Sequence, residues 1–379
     1  MEKNNKNLNV PNLRFPEFSE EWESTPISTI ADIIGGGTPD TSVDEYWGGN
    51  IQWFTPSEIG KEKYAYLSDR TITEAGLKNS SAKLLPQGTV LLSTRATIGE
   101  CSIATAECTT NQGFQSLVAK KNNVSSEFLY YIVAKIKREM LRRSCGSTFL
   151  EISANELKKI HANIPSKAEQ EKLVSLLSLI DQRIETQKKI IEKYESLIRG
   201  LYHSVFNNPS SILQLREVVS IVKGKQVNGE ELLEEGKYYV MNGGTEPSGY
   251  LDEYNTPANT ISISEGGNSC GYVQYNTEPF WSGGHCYSLH QKDEGVNYQY
   301  LYHFLKYKER DIMALRIGSG LPNVQKKDLE RFEVRVLPIE QQDRVAEILE
   351  DISAKCDLEK KILQEWQWQK SFLLSNLFI

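Results

Sequence analysis

The stretch LVSLLSLIDQRIETQKKIIEKYESLIRGLYHSV, residues 173–205, decides the fold because its apolar residues recur at alternating steps of four and three. This spacing places side chains along one narrow stripe of an α-helix, as in a coiled-coil seam. The stripe consists of Leu173, Leu177, Ile180, Ile184, Gln187, Ile191, Tyr194, Ile198, Leu201 and Val205. The pattern predicts a helix of about 38 residues, or roughly 57 Å at 1.5 Å per residue.

The same stripe returns 172 residues later, between Val345 and Leu377, with polar members at Glu359 and Lys370. Two such helices could pair antiparallel, and Gln187 and Glu359 would then form a polar layer near the middle that fixes the register. The alternative is that each helix packs on its own domain. The residues predicted to pair the helices are Leu177, Ile180, Ile184, Gln187, Ile191, Tyr194, Leu349, Ile352, Cys356, Glu359, Leu363 and Trp366.

The repeat extends beyond the helices. Residues 155–160, NELKKI, return as residues 327–332, KDLERF, and Phe128-Leu129-Tyr130 returns as Tyr300-Leu301-Tyr302. Near the start of each copy the offset is 188, so the first copy carries about 16 extra residues. Two copies of one structural unit are therefore predicted.

Each copy contains strand-like and helical runs in the same order. The predicted strands are 89–93, 115–118, 260–264 and 287–289, and the predicted shorter helices are 126–143 and 298–313. Antiparallel long helices would give a dumbbell with a binding domain at each end. Domains about 50–60 Å apart would match roughly one and a half turns of B-DNA, at about 34 Å per turn.

Composition bounds the class of protein. The 379 residues suit two domains, and 39% hydrophobic with 25% charged residues is ordinary for a globular protein. No run of 18 apolar residues occurs, the first residues lack a signal-peptide core, and the six cysteines form no Cys-x-x-Cys pair. A cytoplasmic protein without membrane contact is expected. The net charge of −7 argues against a purely electrostatic nucleic-acid binder but allows local basic faces.

No catalytic signature is recognised. None of the three Gly-Lys pairs is followed by Ser or Thr, so the P-loop pattern fails. The glycines at 35–37 are interpreted as a turn rather than a phosphate loop. A metal site at His285, Cys286 and His290 is disfavoured, because strand alternation would place His285 and Cys286 on opposite faces.

Basic residues cluster near the ends of the shorter helices and could contact phosphates, the alternative being an ordinary solvated helix face. They are Lys135, Lys137, Arg138, Arg142 and Arg143 in the first copy, and Lys306, Lys308, Arg310 and Arg316 in the second. Base reading needs directed donors and acceptors on loops. Candidate readers are Thr94, Arg95 and Thr97 in the loop 93–99, Glu265 and Asn268 in the matching loop 264–271, and Asn242. Structural turns use similar residues.

These features resemble the specificity (S) subunits of type I restriction-modification systems, over nearly the whole chain. The family's motifs have counterparts here in the opening VPNLRFPEF at 10–18 with Trp22. The segments Ala168-Glu169-Gln170 and Glu340-Gln341-Gln342 resemble the short motif that opens each of the family's long helices. Residues 254–267 and 280–287 are similar to stretches in its recognition domains. No single motif decides, but the ordered and duplicated set is specific.

The resemblance implies an α+β fold, with two mixed α/β target recognition domains separated by two long antiparallel coiled-coil helices in a pseudo-twofold repeat. The implied division is residues 1–165 (first recognition domain), 166–208 (central spacer helix), 209–338 (second recognition domain) and 339–379 (C-terminal spacer helix).

The implied function is to read a bipartite site in double-stranded DNA, with the helices setting the unread spacer and docking two methyltransferase subunits. Restriction subunits with translocase and nuclease activity would complete the complex. The chain itself would be non-catalytic and bind no cofactor, while S-adenosylmethionine, ATP and Mg²⁺ would belong to partner subunits. Two alternative classes are a fused methyltransferase enzyme, for which no room remains, and a coiled-coil interaction protein that does not bind DNA.

Overall fold

The computed structural model describes residues 9–146, 150–207, 211–318, 320 and 322–379. Their contacts divide the chain into two compact units. Unit 1 is Met1–Gln187 with Ile362–Ile379, and unit 2 is Lys188–Lys361. Each long helix therefore contributes to both units. The predicted domain boundaries, which set each long helix apart as a segment of its own, stay predictions.

Unit 1 begins with a mixed region of short strands and helices that leads into the first long helix. In chain order the elements are β1 (Glu23–Pro26), α1 (Ile27–Ile30), β2 (Ala31–Gly35), β3 (Trp47–Phe54), β4 (Tyr64–Ala65), β5 (Arg70–Ile72), α2 (Glu74–Lys78), β6 (Val90–Leu92), β7 (Cys101–Ala104), β8 (Cys108–Thr110), β9 (Gln115–Ala119), α3 (Ser126–Arg143), α4 (Ala154–Lys158), β10 (His161–Ile164) and α5 (Lys167–Phe206).

Three sheets organise the described part of unit 1. The largest has the strand order β2-β9-β6-β7-β4, a second has the order β5-β3-β8, and β1 pairs with β10. In the largest sheet the pairs β2-β9, β9-β6 and β6-β7 are antiparallel and β7-β4 is parallel; in the second sheet β3-β8 is parallel. Helix α3 covers one face of the large sheet, and its buried residues join the main core of the unit.

Unit 2 repeats this order of elements. They are β11 (Ser211–Gln214), α6 (Leu215–Val218), β12 (Val219–Lys223), β13 (Tyr238–Met241), β14 (Tyr250–Leu251), β15 (Thr260–Ser264), β16 (Val273–Asn276), β17 (Trp281–Ser282), β18 (Cys286–Gln291), α7 (Tyr298–Tyr307), α8 (Glu309–Ala314), α9 (Lys326–Glu330), β19 (Glu333–Val336) and α10 (Ile339–Leu377). Its sheets have the orders β12-β18-β15-β16, β14-β13-β17 and β11-β19.

The internal repeat is confirmed element by element. β7, α4 and β10 return as β16, α9 and β19 with an offset of 172, while β1, α1 and β2 return as β11, α6 and β12 with an offset of 188. The parallel pair β3-β8 corresponds to β13-β17. The extra residues of the first copy lie between β3 and β6, where unit 1 has β4, β5 and α2 and unit 2 has only β14.

The long helices α5 and α10 pack against each other in both units. In unit 1, Leu173 and Leu177 near the start of α5 share a core with Leu377 near the end of α10. In unit 2, Tyr202 near the end of α5 shares a core with Leu349 near the start of α10. The start of each helix meets the end of the other, so the pairing is antiparallel, as predicted, rather than each helix packing alone.

The Glu-Gln motifs at the starts of these helices have a structural function. Gln170 is 4% exposed and donates to the carbonyls of Asn123 (3.0 Å) and Pro165 (3.1 Å). Gln342 occupies the same repeat position, is 1% exposed, and donates to Gly295 (3.2 Å) and Leu337 (2.7 Å). Each glutamine thus satisfies backbone acceptors where the helix leaves the domain.

The predicted helix 298–313 is interrupted at Lys308, whose ψ of 9° separates α7 from α8. The carboxylate of Glu309 accepts from the backbone amide of Val273 (2.9 Å) and from Lys306 (2.5 Å), which fixes the break against β16. The turn predicted at residues 35–37 is wrong: Gly35 is the last residue of β2, and Gly36 and Gly37 follow it without forming a turn. A Cβ on Gly36 would lie 2.0 Å from the carbonyl oxygen of Asn111, so only backbone fits there.

Candidate nucleic-acid interface

Two loops occupy the same place in the two units. We call Ser93–Gly99, between β6 and β7, loop 1, and Ser264–Gly271, between β15 and β16, loop 2. In loop 1 the Gly99 amide donates to the carbonyl of Ser93 (3.0 Å), and in loop 2 the Gly271 amide donates to that of Ser264 (2.8 Å). Gly99 and Gly271 have φ of 87° and 90°. The same backbone hydrogen bond therefore closes both loops, and loop 2 is one residue longer than loop 1.

A neighbouring segment fixes each loop in the same way. Ile152 donates its amide to the carbonyl of Thr94 (3.1 Å), and Val324 donates to that of Glu265 (2.8 Å). The turn before β9 or β18 adds a second support. The Thr94 amide donates to Gly113 (2.9 Å), and the Glu265 amide donates to His285 (2.9 Å). Thr94 and Glu265 are therefore structurally equivalent.

The predicted readers in loop 1 differ in their access to solvent. Thr94 is 0% exposed and its hydroxyl donates to the Gly113 carbonyl (3.2 Å), so in this structure it stabilises the loop, and its contact with DNA stays a prediction. Arg95 is partly exposed and its guanidinium contacts Glu151 at 2.6 Å. Thr97 is exposed, and its hydroxyl lies 3.0 Å from that of Ser93. Arg95 and Thr97 are accessible; Thr94 supports the loop from below.

Loop 2 carries a charged cluster that the sequence did not predict. Glu265 is 9% exposed; its Oε1 accepts from Lys223 (2.6 Å) and from the Tyr287 hydroxyl (3.0 Å). His285 Nδ1 lies 3.8 Å from the other oxygen, Oε2. Burial, followed by the hydrogen bond to Glu265, raises the pKa of Tyr287, so this hydroxyl keeps its proton and donates. Glu265 is thus held by groups from two other strands.

Two more predicted readers lie beside this cluster. Asn242 is half-buried, and its side-chain oxygen accepts from the His285 amide (3.1 Å). Asn268 is exposed at the tip of loop 2. His285 and Lys223 are not among the predicted contacts. Their repeat equivalents are Gly113 and Gly35, so the repeat does not mark either position as polar.

The basic helix ends divide into paired and unpaired cations. Arg138 and Arg310 are 172 residues apart, both are exposed, and neither has an ion pair within the described ranges. Arg316 is likewise exposed. Arg142 contacts Glu139 (2.8 Å) but stays 75% exposed at its side chain, and Arg143 contacts Glu139 (2.5 Å).

Four lysines of the predicted basic clusters already serve contacts within the protein. Lys135 donates to the Phe378 carbonyl (2.9 Å) and so fastens α3 to the end of α10. Lys137 contacts Glu100 (2.6 Å), Lys306 contacts Glu309 (2.5 Å), and Lys308 contacts Asp311 (2.9 Å). These partners reduce the positive charge available to phosphates. Arg138, Arg310 and Arg316, which are exposed, are the better candidates.

None of the twelve predicted helix-pairing residues is exposed. Leu177, Ile180, Gln187 and Ile191 on α5 are buried, as are Leu349 and Cys356 on α10. The other six are half-buried: Ile184, Tyr194, Ile352, Glu359, Leu363 and Trp366. The polar layer of Gln187 and Glu359 stays a prediction.

The part of the chain that the structure describes holds no group of three or more potential metal ligands. None of its helices is long and apolar enough to span a membrane. Cys286 is buried on β18, whereas His285 lies in the turn before that strand and its side chain is 60% exposed, so their separation does not come from strand alternation.

Residues 19–196 and 208–366 both match the family model described as the type I restriction modification DNA specificity domain. The chain belongs to that family. The resemblance predicted from the sequence is therefore confirmed, and with it the class of protein: a type I specificity subunit family that confers DNA sequence specificity in restriction-modification complexes.

Individual relatives agree. The chain is 29% identical over 367 residues to the type I restriction enzyme MjaIX specificity subunit of Methanocaldococcus jannaschii, covering 85% of this chain and 84% of that one. It is 23% identical over 360 residues to the EcoprrI specificity subunit of Escherichia coli, covering 87% of each.

Solved structures share the fold. The S subunit of a type I restriction-modification system from M. genitalium aligns with a TM-score of 0.71 at 21% identity, over 98% of this chain and 99% of that chain. A chain from a study of complex assembly and conformational transition of the type I system aligns with a TM-score of 0.54 at 15% identity, over 95% and 98%. The predicted fold class is confirmed.

Proposed function

We propose that this chain is the DNA-binding specificity subunit of a type I complex and that each unit reads one half of a bipartite site in double-stranded DNA. The observation that carries the proposal is the pair of loops. Loop 1 and loop 2 share the same backbone hydrogen bonds, yet they present different side chains at equivalent positions. A common scaffold with different polar groups suits two readers of different half-sites.

Phosphate contacts in this proposal position the reader without specifying bases. Arg138 and Arg310 occupy equivalent exposed positions in the two units. The remaining contacts would come from Arg95, Thr97, Arg142, Arg143, Asn242, Glu265, Asn268 and Arg316. A net charge of −7 means that favourable binding depends on such local cations and on cations from the partner subunits.

In the same proposal, helices α5 and α10 set the unread spacer and dock two methyltransferase subunits. The chain carries no catalytic group of its own; the methyltransferase subunits bring S-adenosylmethionine and methylate adenine. Restriction subunits add ATP- and Mg²⁺-dependent translocation and cleavage. Antiparallel packing of the helices in both units supports a rigid spacer.

The test is the genome-wide pattern of N6-methyladenine in cells that carry the chain with its methyltransferase partner, compared with cells lacking the chain. We expect a bipartite, asymmetric motif that disappears with the chain. An active, chain-bound methyltransferase that yields no such motif would contradict the proposal.

A second experiment tests modular reading. Replacing residues 211–337 with the corresponding region of another family member should change one half of the motif and leave the other half intact. A change in both halves would contradict the assignment of one half-site to each unit. A protein that pairs coiled coils without reading DNA would give no salt-dependent, sequence-selective duplex binding at all.

A further inference from the structure

The charged cluster beneath loop 2 is not required to build the loop. The repeat provides an internal control, because loop 1 has the same backbone hydrogen bonds with Thr94 in place of Glu265 and Gly113 in place of His285. Gly35 stands in place of Lys223, since the two residues pair with equivalent strand positions. Loop 1 forms without equivalents of Glu265, Lys223 and His285, so the fold of the loop does not account for these side chains in unit 2.

Glu265 has an unused acceptor. Its Oε1 accepts from Lys223 and Tyr287, whereas its Oε2 is buried and has no hydrogen-bond partner within the described residues. A buried carboxylate oxygen without a donor is unfavourable, so a ligand that supplies an N–H group there is favoured. The carboxylate is also fixed in place, because groups from β12 and β18 hold it from two sides.

The surface above Glu265 allows close approach. His285 Nδ1 lies 3.8 Å from Oε2, and the imidazole is 60% exposed, so it covers the carboxylate as a side chain that can move aside. Gly266 and Gly267 follow Glu265 directly, and a Cβ on Gly267 would meet nothing within 4 Å. Gly243, with φ of 86°, adjoins His285 from the end of β13. Glycines leave room for a ligand beside the loop.

We propose that Glu265 is a specificity-determining residue of unit 2 that accepts a hydrogen bond from the exocyclic amino group of one base, adenine or cytosine, in the major groove. In this proposal His285 moves aside when DNA binds, and the Tyr287 hydroxyl, which donates to Oε1, keeps the carboxylate in the reading orientation. Adenine N6 and cytosine N4 are the amino donors that the major groove presents, and a carboxylate is the side chain suited to accept from them. The inference rests on the proposed function, since it assigns a chemical preference to one of the two readers.

The test uses the chain assembled with its methyltransferase partner and duplexes containing the bipartite motif. At each position of the second half-site, purine replaces adenine and 2-pyrimidinone replaces cytosine, which removes only the amino group. We expect one position where this replacement weakens binding by the wild-type complex about tenfold or more. The Glu265→Gln complex should show a loss below about twofold at that position. Lys223 and the Tyr287 hydroxyl would hold the one oxygen of the amide, so its NH2 group, a donor, would take the place of Oε2.

A matched control is Glu253→Gln, which makes the same chemical change at an exposed residue of unit 2 and should keep the wild-type preference. Lys223→Met is a second variant that keeps the carboxylate and removes its cationic partner. It should keep or increase the penalty for losing the amino group, and it serves the test if Glu265→Gln unfolds.

The inference is overturned if the wild-type complex selects the bipartite site but no amino-group position distinguishes it from Glu265→Gln. It is also overturned if Lys223→Met abolishes the penalty, or if Glu265→Gln weakens binding equally on all duplexes, as a merely structural residue would. Failure of the wild-type complex to select any duplex would instead contradict the proposed function itself.

Discussion

In unit 1 a cluster of polar contacts surrounds Asp181 of α5, whereas in unit 2 a cluster of aromatic rings surrounds Phe206 of α5; unit 2 also has an ion pair between the long helices, Glu195–Lys360 (3.0 Å). In unit 1, Asp181 of α5 accepts from the Tyr131 hydroxyl (2.6 Å) and contacts Lys370 of α10 (2.7 Å) and Lys63 (3.5 Å). In unit 2, Phe206 lies among four aromatic rings. The same arrangement of elements is therefore stabilised by two different kinds of contact.

Equivalent positions make the difference explicit. Asp181 corresponds to Ser353 and Lys370 to Ile198, so the ion pair of unit 1 has no counterpart at those positions in unit 2. Tyr131 corresponds to His303, which lies 2.9 Å from the Tyr202 hydroxyl. Equivalent backbone elements are therefore stabilised by different side chains in the two units. We expect the stability of the two units to respond differently to mutation and to pH.

The largest effect is expected for Phe206→Ala. Phe206 is 1% exposed, and its ring centroid lies 5.4–5.6 Å from those of its four aromatic neighbours. We expect unit 2 to lose about 5 kcal/mol of opening free energy, measured by hydrogen exchange of its core amides. Phe378 is the repeat equivalent in unit 1; its ring stacks on Phe128 and contacts Trp22. Phe378→Ala should lower the opening free energy of unit 1 by about 3 kcal/mol. Equal losses would remove the contrast.

Asp181→Asn should destabilise unit 1 by about 3 kcal/mol, because it leaves the two cations Lys63 and Lys370 without their carboxylate in a partly buried site. The Lys63 side chain is only 9% exposed, and burial lowers its pKa. Hydrogen exchange in unit 1 measures the loss. Ser353→Asn, at the matching position of unit 2, should cost about 0.5 kcal/mol or less. Adding Lys63→Met to Asp181→Asn should restore part of the stability; no restoration would contradict the buried-charge explanation.

Acid should weaken unit 2 through His303. Burial lowers the pKa of His303 from 6.5 to about 4, so the unfolded chain takes up this proton first as the pH falls. Keeping His303 neutral therefore costs the folded state nothing above about pH 6.5. As the pH falls from there towards about 4, the free energy of unfolding decreases by about 2–3 kcal/mol. Urea titrations of the wild type and His303→Gln between pH 4 and 7 measure it. An identical pH dependence for the two proteins would refute this prediction. Tyr131 at the equivalent place keeps its proton throughout that range, because burial raises its pKa.

Periodicity and the repeat sufficed to predict much of the architecture. The seam from Leu173 predicted α5, and the 172-residue offset predicted both α10 and the equivalence of the loops. The run 126–143 coincides with α3 because its apolar spacing reflects one buried helix face. These features are local or repeated, so a single sequence contains them.

Features that depend on distant partners escaped prediction. The cationic character of Lys135 gave no sign that it donates to the carbonyl of Phe378, 243 residues away. Thr94 is a predicted reader because it is a polar residue of a loop, but its hydroxyl donates to the Gly113 carbonyl inside the unit. The Glu265 cluster was only partly predicted, since Lys223 and His285 come from other strands.

The smallest expected effect compares the loops themselves. Ala96 in loop 1 has φ of 62°, and its structural equivalent in loop 2, Gly267, has φ of 81°. Left-handed backbone costs an alanine about 1–2 kcal/mol, whereas the greater freedom of an unfolded glycine costs about 0.4–1 kcal/mol, so Ala96→Gly should stabilise unit 1 by about 0.5–1 kcal/mol. Gly267→Ala should destabilise unit 2 by about the same amount, although the new methyl group would contact nothing, because the cost lies in the backbone angle rather than in space. Thermal unfolding of both variants measures the effects. Shifts of the same sign would show that loop 1 and loop 2 do not share a backbone plan at this position.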